Sequence, residues 1–318
     1  QRLMPSVSVI IPCYNGEKYL AEAIESVLAQ TYPVTEIIVV DNASTDGSKA
    51  VAALYPQVKY MHLYPNQGPP GACNKGIAES SGEYIVILDF DDRLLPHAIE
   101  TGVRELEHHP DCMFAFGPCR LIDENGLPHP GGRKELEEPV RGSIYQTLLE
   151  GTCLNPLGRH VIRRILFDQV GYFDSSMYSA YDYDFYLRSL TLFAAVSHDE
   201  PVAEYREHTA TVSRRTRPSK HLRQFLTMYS RQANFVRKHP EYAAAYAQGR
   251  RFWISRFTQY GLFYDVVLYL KEGNSKEALS SLLLTLRYNP WEIVQYSWKR
   301  LNHVWNRLNN RLDVTTER

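Results

Sequence analysis

An alternation of short apolar runs with amphipathic helical patterns is the feature that most constrains how this chain can fold. Apolar runs occur at residues 7–11, 36–40 and 84–88, a further strand pattern occurs at residues 58–64, and helical patterns separate these segments. Runs of this length, rich in Val and Ile, are typical of strands buried on both faces. Because strand and helix alternate, we expect parallel pairing, right-handed crossovers and helices on both faces. The sequence therefore predicts an α/β fold with a Rossmann-like, mostly parallel sheet.

Composition and charge exclude several classes of protein. Hydrophobic residues make up 44% of the 318 residues and charged residues 22%, as in ordinary soluble domains. The net charge of -1 provides no bulk basic field, so nucleic acid is not expected as a partner. The five cysteines are odd in number and contain no Cys-x-x-Cys pair, which favours a reducing compartment. Neither a leader pattern nor an apolar run of roughly 20 residues is visible. We therefore expect a cytoplasmic protein, soluble or peripheral at the cytoplasmic face of a membrane.

The loops after the apolar runs are the expected ligand site, because open parallel sheets bind ligands beyond the carboxyl ends of their strands. No Gly-x-Gly-x-x-Gly follows the first run and no P-loop motif occurs, which argues against a dinucleotide dehydrogenase and a P-loop phosphotransferase. The third loop, residues 66–72, opens a helix whose free N–H groups suit an anion. Ordinary turn chemistry would explain each loop equally well. The candidate ligand-binding residues of these loops are Pro12, Tyr14, Asn15, Asp41 and Gly71.

Three carboxylates lie directly after the apolar run at residues 84–88, in the segment Asp89-Phe90-Asp91-Asp92. Neighbouring like charges cost free energy unless neutralised, and Mg²⁺ or Mn²⁺ prefers one or two carboxylates together with substrate phosphates. Alternate residues of an extended strand point the same way, so Asp89 and Asp91 should face one ligand while Phe90 faces the core. The alternative is that Asp92 caps a helix beginning near Pro96. The cluster predicts a divalent-cation site.

Four motifs follow one another along the first two thirds of the chain. They read Val-Ile-Ile-Pro-x-Tyr-Asn, Ile-Ile-Val-Val-Asp-Asn-x-Ser-Thr-Asp-Gly-Ser, Asn-x-Gly-x(3)-Ala-x-Asn-x-Gly and Leu-Asp-x-Asp-Asp. Together they resemble glycosyltransferase family 2, a large family of inverting enzymes with the GT-A fold, over roughly residues 5–215. Each motif alone is weak, but the ordered combination is highly specific.

The resemblance implies roles for the residues that match the family's motifs. Asp89 would hold the ribose of the donor, and Asp91 would ligate the metal. Cys73 stands where relatives often have Arg, which is a departure from the family pattern at one donor contact. The other residues implied to bind the nucleotide-sugar are Pro12, Tyr14, Asn15, Asp41, Asn42, Gly71, Asn74 and Phe90.

A later segment, Tyr181-Asp182-Tyr183-Asp184, resembles the family's Glu-Asp-x-Asp motif, with Tyr181 replacing the usual Glu. The resemblance implies that Asp182 is the catalytic base. A carboxylate at a helix start is stabilised in its charged form and can accept a proton from an acceptor hydroxyl. The alternative is that Asp182 only caps the helix. We expect Asp184 to be structural.

The segment Tyr205-Arg206-Glu207-His208 resembles the Tyr-Arg-x-His segment that closes the family's site. The resemblance implies that His208 reaches the metal or the diphosphate. Arg214, Arg215 and Arg217 follow, and they form either a basic lid over the diphosphate or a solvated loop.

The sequence as a whole predicts a GT-A catalytic domain at residues 1–218 and a helical extension at residues 219–318. We expect an inverting, metal-dependent transfer from a nucleotide-sugar, with a UDP-sugar favoured and Mn²⁺ or Mg²⁺ as cofactor. The acceptor hydroxyl would belong to a glycan, a lipid-linked sugar or another molecule, as in polysaccharide biosynthesis. A non-catalytic nucleotide-sugar or glycan-binding protein on the same fold and a nucleotidyltransferase are the alternatives.

The C-terminal segment carries an apolar stripe at heptad spacing with basic residues beside it. Three interpretations stay open: contact with an anionic membrane, a dimer seam, or packing on the chain's own domain. The stripe consists of Trp291, Val294, Trp298, Leu301, Trp305, Leu308 and Leu312.

Overall fold

The computed structural model describes residues 4–129, 139–152, 154, 156–208, 216–259 and 261–296. Eleven strands are present in this part of the chain. In chain order they are β1 (Val7–Cys13), β2 (Glu36–Asp41), β3 (Val58–His62), β4 (Tyr84–Ile87), β5 (Arg93–Leu94), β6 (Cys112–Phe116), β7 (Cys119–Ile122), β8 (Arg141–Gly142), β9 (His160–Arg163), β10 (Ala194–Ser197) and β11 (Ala203–Arg206).

The α-helices fall into a group that alternates with the strands and a group that follows them. The first group is α1 (Leu20–Leu28), α2 (Ser48–Ala52), α3 (Gly68–Glu79), α4 (Ala98–His108), α5 (Tyr145–Leu149), α6 (Ile165–Val170) and α7 (Tyr181–Leu190). The second group is α8 (Pro218–Lys238), α9 (Ala243–Thr258), α10 (Leu262–Lys271) and α11 (Ser275–Tyr288).

The main sheet has eight strands in the order β3-β2-β1-β4-β9-β6-β10-β8. Strands β1 to β4 are mutually parallel, whereas β9 runs antiparallel between β4 and β6. The prediction of a mostly parallel α/β sheet flanked by helices is confirmed. A second sheet of three short strands, β5-β11-β7, lies beside it.

Two hydrophobic cores cover the two faces of the main sheet. One contains the apolar faces of α1 and α4, with Ile24 and Val103 fully or almost fully buried. The other contains α3 and α7 and continues into the C-terminal helices, where Phe225 of α8 stacks on Trp253 of α9 at 4.0 Å. Residues from both sides of the predicted boundary at 218 and 219 therefore share one core.

The parallel strands bring their following loops to one edge of the sheet, as the sequence predicts. One local expectation is wrong, because β4 ends at Ile87 and residues 89–92 form a turn rather than an extended strand. The Asp92 N–H donates to the Asp89 carbonyl at 3.0 Å, which closes this turn. None of the helices in the described ranges combines the length and apolarity needed to cross a membrane.

Candidate active site

The loops after β1 and β2 are tied to each other at the edge of the sheet. Asn15 adopts a positive φ of 52°, and its N–H donates to Ser44 Oγ at 2.9 Å. Its side-chain Oδ1 accepts a hydrogen bond from the Thr45 N–H at 2.8 Å. Pro12 is buried within β1, whereas Tyr14 is 45% exposed. Tyr14 and Asn15 are therefore exposed at this edge, whereas Pro12 is buried.

Asp41 lies at the end of β2 and is 2% exposed. Its Oδ1 accepts from the Ser44 N–H at 2.9 Å, and its Oδ2 accepts from the Tyr60 hydroxyl and contacts His62 Nδ1 at 3.3 Å. Burial raises the pKa of Asp41, but these hydrogen bonds outweigh burial and hold the pKa below its ordinary value. Asp41 is therefore a fixed, ionised acceptor at neutral pH.

Asn42 and Asn74 use their amides to hold the backbone around the site. Asn42 accepts from the Gln67 N–H at 2.8 Å and donates to the Gly68 carbonyl at 3.0 Å, which fixes the loop that opens α3. Asn74 donates to the Phe173 carbonyl at 2.8 Å and accepts from the Phe173 N–H at 3.1 Å. This pairing connects α3 to the segment that leads into α7. A direct contact of either amide with the donor stays a prediction.

Gly71 and Gly16 sit where the chain has no room for a side chain. A Cβ on Gly71 would lie 2.6 Å from Gln67 Cβ. A Cβ on Gly16 would lie 2.7 Å from the ring of Phe90, which packs against the core that contains α1. Gly16 thus allows the loop after β1 to approach Phe90, which faces inward as predicted, and Gly71 leaves room for the Gln67 side chain at the start of α3.

Asp91 and His208 meet at the turn after β4. His208 Nε2 and Asp91 Oδ2 are 2.8 Å apart, and the His208 ring packs on Tyr19 with centroids 5.2 Å apart. These residues are separated by 117 positions in the chain, and β11 brings His208 back to the turn. The structure therefore places the two predicted metal ligands together.

Arg206 is the residue of this region whose role the sequence did not indicate. It is fully buried, donates from Nε to the Asp91 carbonyl at 2.8 Å, and donates from Nη2 to Glu22 Oε2 at 2.7 Å. Its guanidinium also lies 4.5 Å from the centroid of the Tyr19 ring. Its partner Glu22 lies 184 residues away on α1, so no local sequence signal could have revealed the pairing.

The alternative that Asp92 caps the following helix is wrong. Helix α4 begins at Ala98 after His97, and no side chain caps it. Asp92 is 1% exposed, and its Oδ1 accepts from the Arg206 N–H at 2.8 Å. The third carboxylate of the cluster therefore anchors β11, which carries Arg206 and leads to His208.

Asp182 lies in the first turn of α7, at the same edge of the sheet. The helix follows Ala180, so the alternative that Asp182 is the helix cap is wrong. Burial raises the pKa of Asp182 to about 6, although the N–H of Tyr183 donates to Oδ1 at 2.8 Å. The expectation that the helix start stabilises the charged form is thus outweighed by burial.

Asp89 is half-buried, and the charges of Asp91 and Asp182 lie close enough to act on it. Burial, together with the charges of Asp91 and Asp182, raises the pKa of Asp89 to about 7. Cys73 and Tyr181, the two departures from the family pattern, adjoin this group and share a hydrogen bond. The carboxylates of Asp89, Asp91 and Asp182 therefore lie near the neutral thiol of Cys73 and the neutral phenol of Tyr181.

Asp184 is structural, as expected. It is fully buried, and its carboxylate accepts from Arg188 Nε at 2.8 Å and from Arg231 Nη1 at 3.1 Å. Because Arg231 belongs to α8, this ion pair joins the helical extension to the helix that carries Asp182.

The residues around Asp91 fit a divalent cation that also binds a diphosphate. No group of three His, Cys, Asp or Glu side chains in the described ranges is arranged as a complete metal site. Asp91 Oδ2 and His208 Nε2 are close enough to contact one ion, and Mg²⁺ typically takes few protein ligands together with substrate phosphates. The excess of negative charge from Asp89 and Asp182 favours a cation at the same place.

Arg217 does not lie free over the site. Its guanidinium pairs with Glu272 and lies 3.9 Å from the centroid of the Tyr269 ring. Tyr269 lies in α10, and Glu272 directly follows that helix. Arg214 and Arg215 lie outside the described residues.

Comparison with known proteins settles the family. The family model described as "Glycosyl transferase family 2" matches residues 8–173, which is more than half of the chain. The chain belongs to glycosyltransferase family 2. The match contains the four loops at the sheet edge and the carboxylates of residues 89–92, so the resemblance inferred from the motifs is confirmed.

Relatives in bacteria share about a third of their residues with the chain. An uncharacterized glycosyltransferase of Rickettsia typhi is 34% identical over 215 residues, which are 65% of this chain and 65% of the relative. The uncharacterized glycosyltransferase YwdF of Bacillus subtilis is 32% identical over 188 residues, 58% of this chain and 67% of YwdF. The putative teichuronic acid biosynthesis glycosyltransferase TuaG of B. subtilis is 34% identical over 128 residues, 39% of this chain and 50% of TuaG. The chain thus spans slightly less than two thirds of the Rickettsia relative.

Solved structures show the same fold. S. aureus TarS 1-349 in complex with UDP-GlcNAc superposes with a TM-score of 0.60 at 17% identity, covering 89% of this chain and 91% of TarS 1-349. The complex of TarS 1-349 with UDP gives a TM-score of 0.55 at 20% identity, covering 71% of this chain and 64% of TarS 1-349. At this identity the likeness establishes the architecture alone.

Proposed function

We propose that the chain transfers a sugar from a UDP-sugar to an acceptor hydroxyl, with inversion at the anomeric carbon and with a divalent cation. The observation that carries the proposal is that Asp182 and Asp91 both lie close enough to Asp89 to raise its pKa, and that Asp91 pairs with His208. A buried carboxylate with a pKa of about 6 is suited to serve as a base near neutral pH. Membership of family 2 favours transfer over the nucleotidyltransferase alternative.

The donor would lie across the loops after β1 to β4. Tyr14 and the fixed carboxylate of Asp41 would bind the nucleobase, and Asp89 would bind the ribose. Uracil is the favoured base because TarS, which shares the fold, has been crystallised with UDP and UDP-GlcNAc. The diphosphate would then lie beside Asp91 and His208.

Asp182 would accept the proton of the acceptor hydroxyl as that oxygen attacks the anomeric carbon. The new bond forms on the face opposite the departing UDP while the bond to the diphosphate breaks. The configuration at the anomeric carbon therefore inverts. Mg²⁺ or Mn²⁺, held by Asp91 and His208, would neutralise charge on the departing diphosphate. Arg206 fixes the turn that presents Asp91. An acceptor in polysaccharide synthesis is suggested by the name of TuaG.

Two measurements test the donor and the stereochemistry. Calorimetric titration with UDP, GDP and dTDP in the presence of Mn²⁺ should show the tightest binding for UDP, and tighter binding of GDP would contradict the assignment. Proton NMR should then follow the hydrolysis of α-linked UDP-sugars. The β-anomer is expected as the first-formed sugar, whereas a first-formed α-anomer would exclude inversion.

A further inference from the structure

The lead-in segment, residues 174–180, connects the donor side of the site to helix α7, which carries Asp182. In the described structure its residues lie outside helices and strands, so contacts with other parts of the chain must hold them. On the donor side, the ring of Tyr178 packs on the backbone at the start of α3, where a Cβ on Gly68 would lie 3.5 Å from Tyr178 Cδ2. The position of this segment therefore determines where Asp182 stands relative to the donor loops.

One face of α8 contacts the lead-in segment from the other side. Lys220, Gln224 and Arg231 follow one another at intervals of four and seven positions, which places them on the same face of the helix. Lys220 Nζ lies 4.6 Å from the centroid of the Tyr178 ring. Gln224 Oε1 accepts from the Ser179 N–H at 2.8 Å and from the Ser179 hydroxyl at 2.7 Å. The helical extension therefore fixes the backbone two residues before α7 begins.

Arg231 bridges the two ends of the same connection. Its Nη2 donates to Asp174 Oδ2 at 2.5 Å, and its Nη1 donates to Asp184 Oδ1 at 3.1 Å. Asp174 is the first residue of the lead-in segment, and Asp184 lies in the first turn of α7 together with Asp182. A guanidinium suits this task because its N–H donors are fixed in one plane. Arg231 therefore holds the start of the segment against the helix that presents the base.

Helix α8 is itself attached to the catalytic part of the chain by its apolar face. Phe225 packs on Tyr183 with ring centroids 5.8 Å apart, and the Tyr229 hydroxyl donates to the Leu149 carbonyl at 2.6 Å. Tyr183 directly follows Asp182 in α7. The helix therefore provides a fixed support, with its apolar face on α5 and α7 and its polar face on the lead-in segment.

We propose that Gln224 and Arg231 are positioning residues for the transfer reaction, because they hold the lead-in segment and the first turn of α7 and thereby place Asp182. The inference rests on the proposed function, since it concerns the base of that reaction. The loops after β1 and β2 are held by hydrogen bonds between themselves. Loss of either α8 side chain should therefore lower kcat and leave the affinity for the nucleotide almost unchanged.

The test compares Gln224→Met and Arg231→Met with the wild type and with Arg223→Met. Arg223 lies on the same helix and pairs with Glu277 of α11, so Arg223→Met removes an ion pair of the same kind at a different place. Arg231→Lys is the conservative variant, because a single ammonium can keep one of the two carboxylate contacts. Thermal unfolding of each variant establishes that it is folded at the temperature of the assay.

The rate of UDP release in the presence of Mn²⁺ is measured with the UDP-sugar that the wild type turns over fastest. Gln224→Met and Arg231→Met should lower kcat about tenfold or more, because a base displaced by about 1 Å loses its alignment with the attacking oxygen. Their KM and their calorimetric affinity for UDP should stay within about twofold of the wild type. Arg231→Lys should fall between Arg231→Met and the wild type, and Arg223→Met should match the wild type.

Hydrogen exchange followed by mass spectrometry tests the support of the lead-in segment without any substrate. Peptides from residues 174–184 should exchange faster in Gln224→Met and Arg231→Met than in the wild type, since both variants lose contacts that hold this part of the chain. The Ser179 N–H in particular loses its acceptor in Gln224→Met. The same peptides should exchange at the wild-type rate in Arg223→Met.

Several results would overturn the proposal. They are a wild-type kcat in both Gln224→Met and Arg231→Met, an equal loss of kcat in Arg223→Met, or a raised KM with unchanged kcat. Unchanged exchange of residues 174–184 in both variants would refute the support of the lead-in segment by α8. Failure of the wild type to release UDP from any UDP-sugar would instead refute the proposed function, and the exchange rates would still report on the contacts of α8.

Discussion

Replacing Asp182 with Asn should remove activity and stabilise the folded protein at neutral pH. Asp182 is 9% exposed, and burial raises its pKa from 3.8 to about 6. The folded state therefore holds this proton more tightly than the unfolded state does. The stabilisation from the protonated form is fully present below pH 3.8 and is lost as the pH rises through 6. Asn has the same shape and carries no charge, so it avoids this loss.

The magnitude follows from the shift in pKa. A shift from 3.8 to about 6 corresponds to about 3 kcal/mol in the free energy of unfolding, of which about 2 kcal/mol falls between pH 4 and pH 7. The amide of Asn can keep the hydrogen bond that Oδ1 accepts from the Tyr183 N–H. A buried amide N–H₂ without an acceptor would cost roughly 1–3 kcal/mol at every pH. The informative quantity is therefore the change between pH 4 and pH 7 in the difference in free energy of unfolding between variant and wild type.

Urea unfolding of wild type and Asp182→Asn at pH 4 and pH 7, without metal or nucleotide, measures that quantity. Relative to the wild type, the variant should gain about 2 kcal/mol on going from pH 4 to pH 7. Asp168→Asn, which changes an exposed carboxylate on α6, should show no such gain. The claim that Asp182 is a buried base with a raised pKa would be refuted if the difference in free energy of unfolding between Asp182→Asn and wild type did not change with pH. A change in the opposite direction would refute it as well.

The remaining predictions concern the pH dependence of transfer and the metal side of the site. Wild-type kcat/KM should rise about tenfold between pH 5 and pH 7 as Asp182 loses its proton, whereas a base with an ordinary pKa would leave it nearly flat. Arg206→Met should lower the free energy of unfolding by roughly 3–5 kcal/mol and weaken Mn²⁺ binding about tenfold, and Arg206→Lys should give intermediate values. An unchanged affinity for Mn²⁺ in Arg206→Met would contradict the claim that Arg206 positions Asp91. Asp91→Asn should abolish calorimetric Mn²⁺ binding, Asp168→Asn should not, and turnover by wild type in EDTA would contradict a metal requirement.

The main sheet and the edge that carries the site can be predicted from the sequence because apolar runs and the loops that follow them are local sequence patterns. Four strand patterns separated by helical patterns predict parallel strands, and parallel strands bring their following loops together. Three of these strands are buried, whereas β3 is partly exposed. The antiparallel β9 was not predicted, because its four residues resemble no buried run. The conformation of residues 89–92 was predicted wrongly, since chain direction after a strand depends on tertiary contacts such as that of Asp92 with Arg206.

The arrangement of the candidate active site is harder to predict from the sequence because its residues come from distant parts of the chain. Asp182 and His208 entered through resemblance to a family, and their places beside Asp89 and Asp91 appear only in the fold. The sequence suggested a charged base at a helix start, but burial decides the pKa of Asp182, and burial is a tertiary property. The apolar stripe from Trp291 is described only as far as residue 296, where Trp291 is 70% and Val294 55% exposed.

The rate of UDP release from a UDP-sugar in the presence of Mn²⁺, compared between Asp182→Asn and Asp168→Asn, tests the central claim most directly. We predict that Asp182→Asn lowers the rate at least about 100-fold while its calorimetric affinity for UDP stays within about twofold of wild type. Asp168→Asn should match the wild type in both measurements. Wild-type rates in Asp182→Asn would contradict the assignment of this carboxylate as the base that makes the chain a glycosyltransferase.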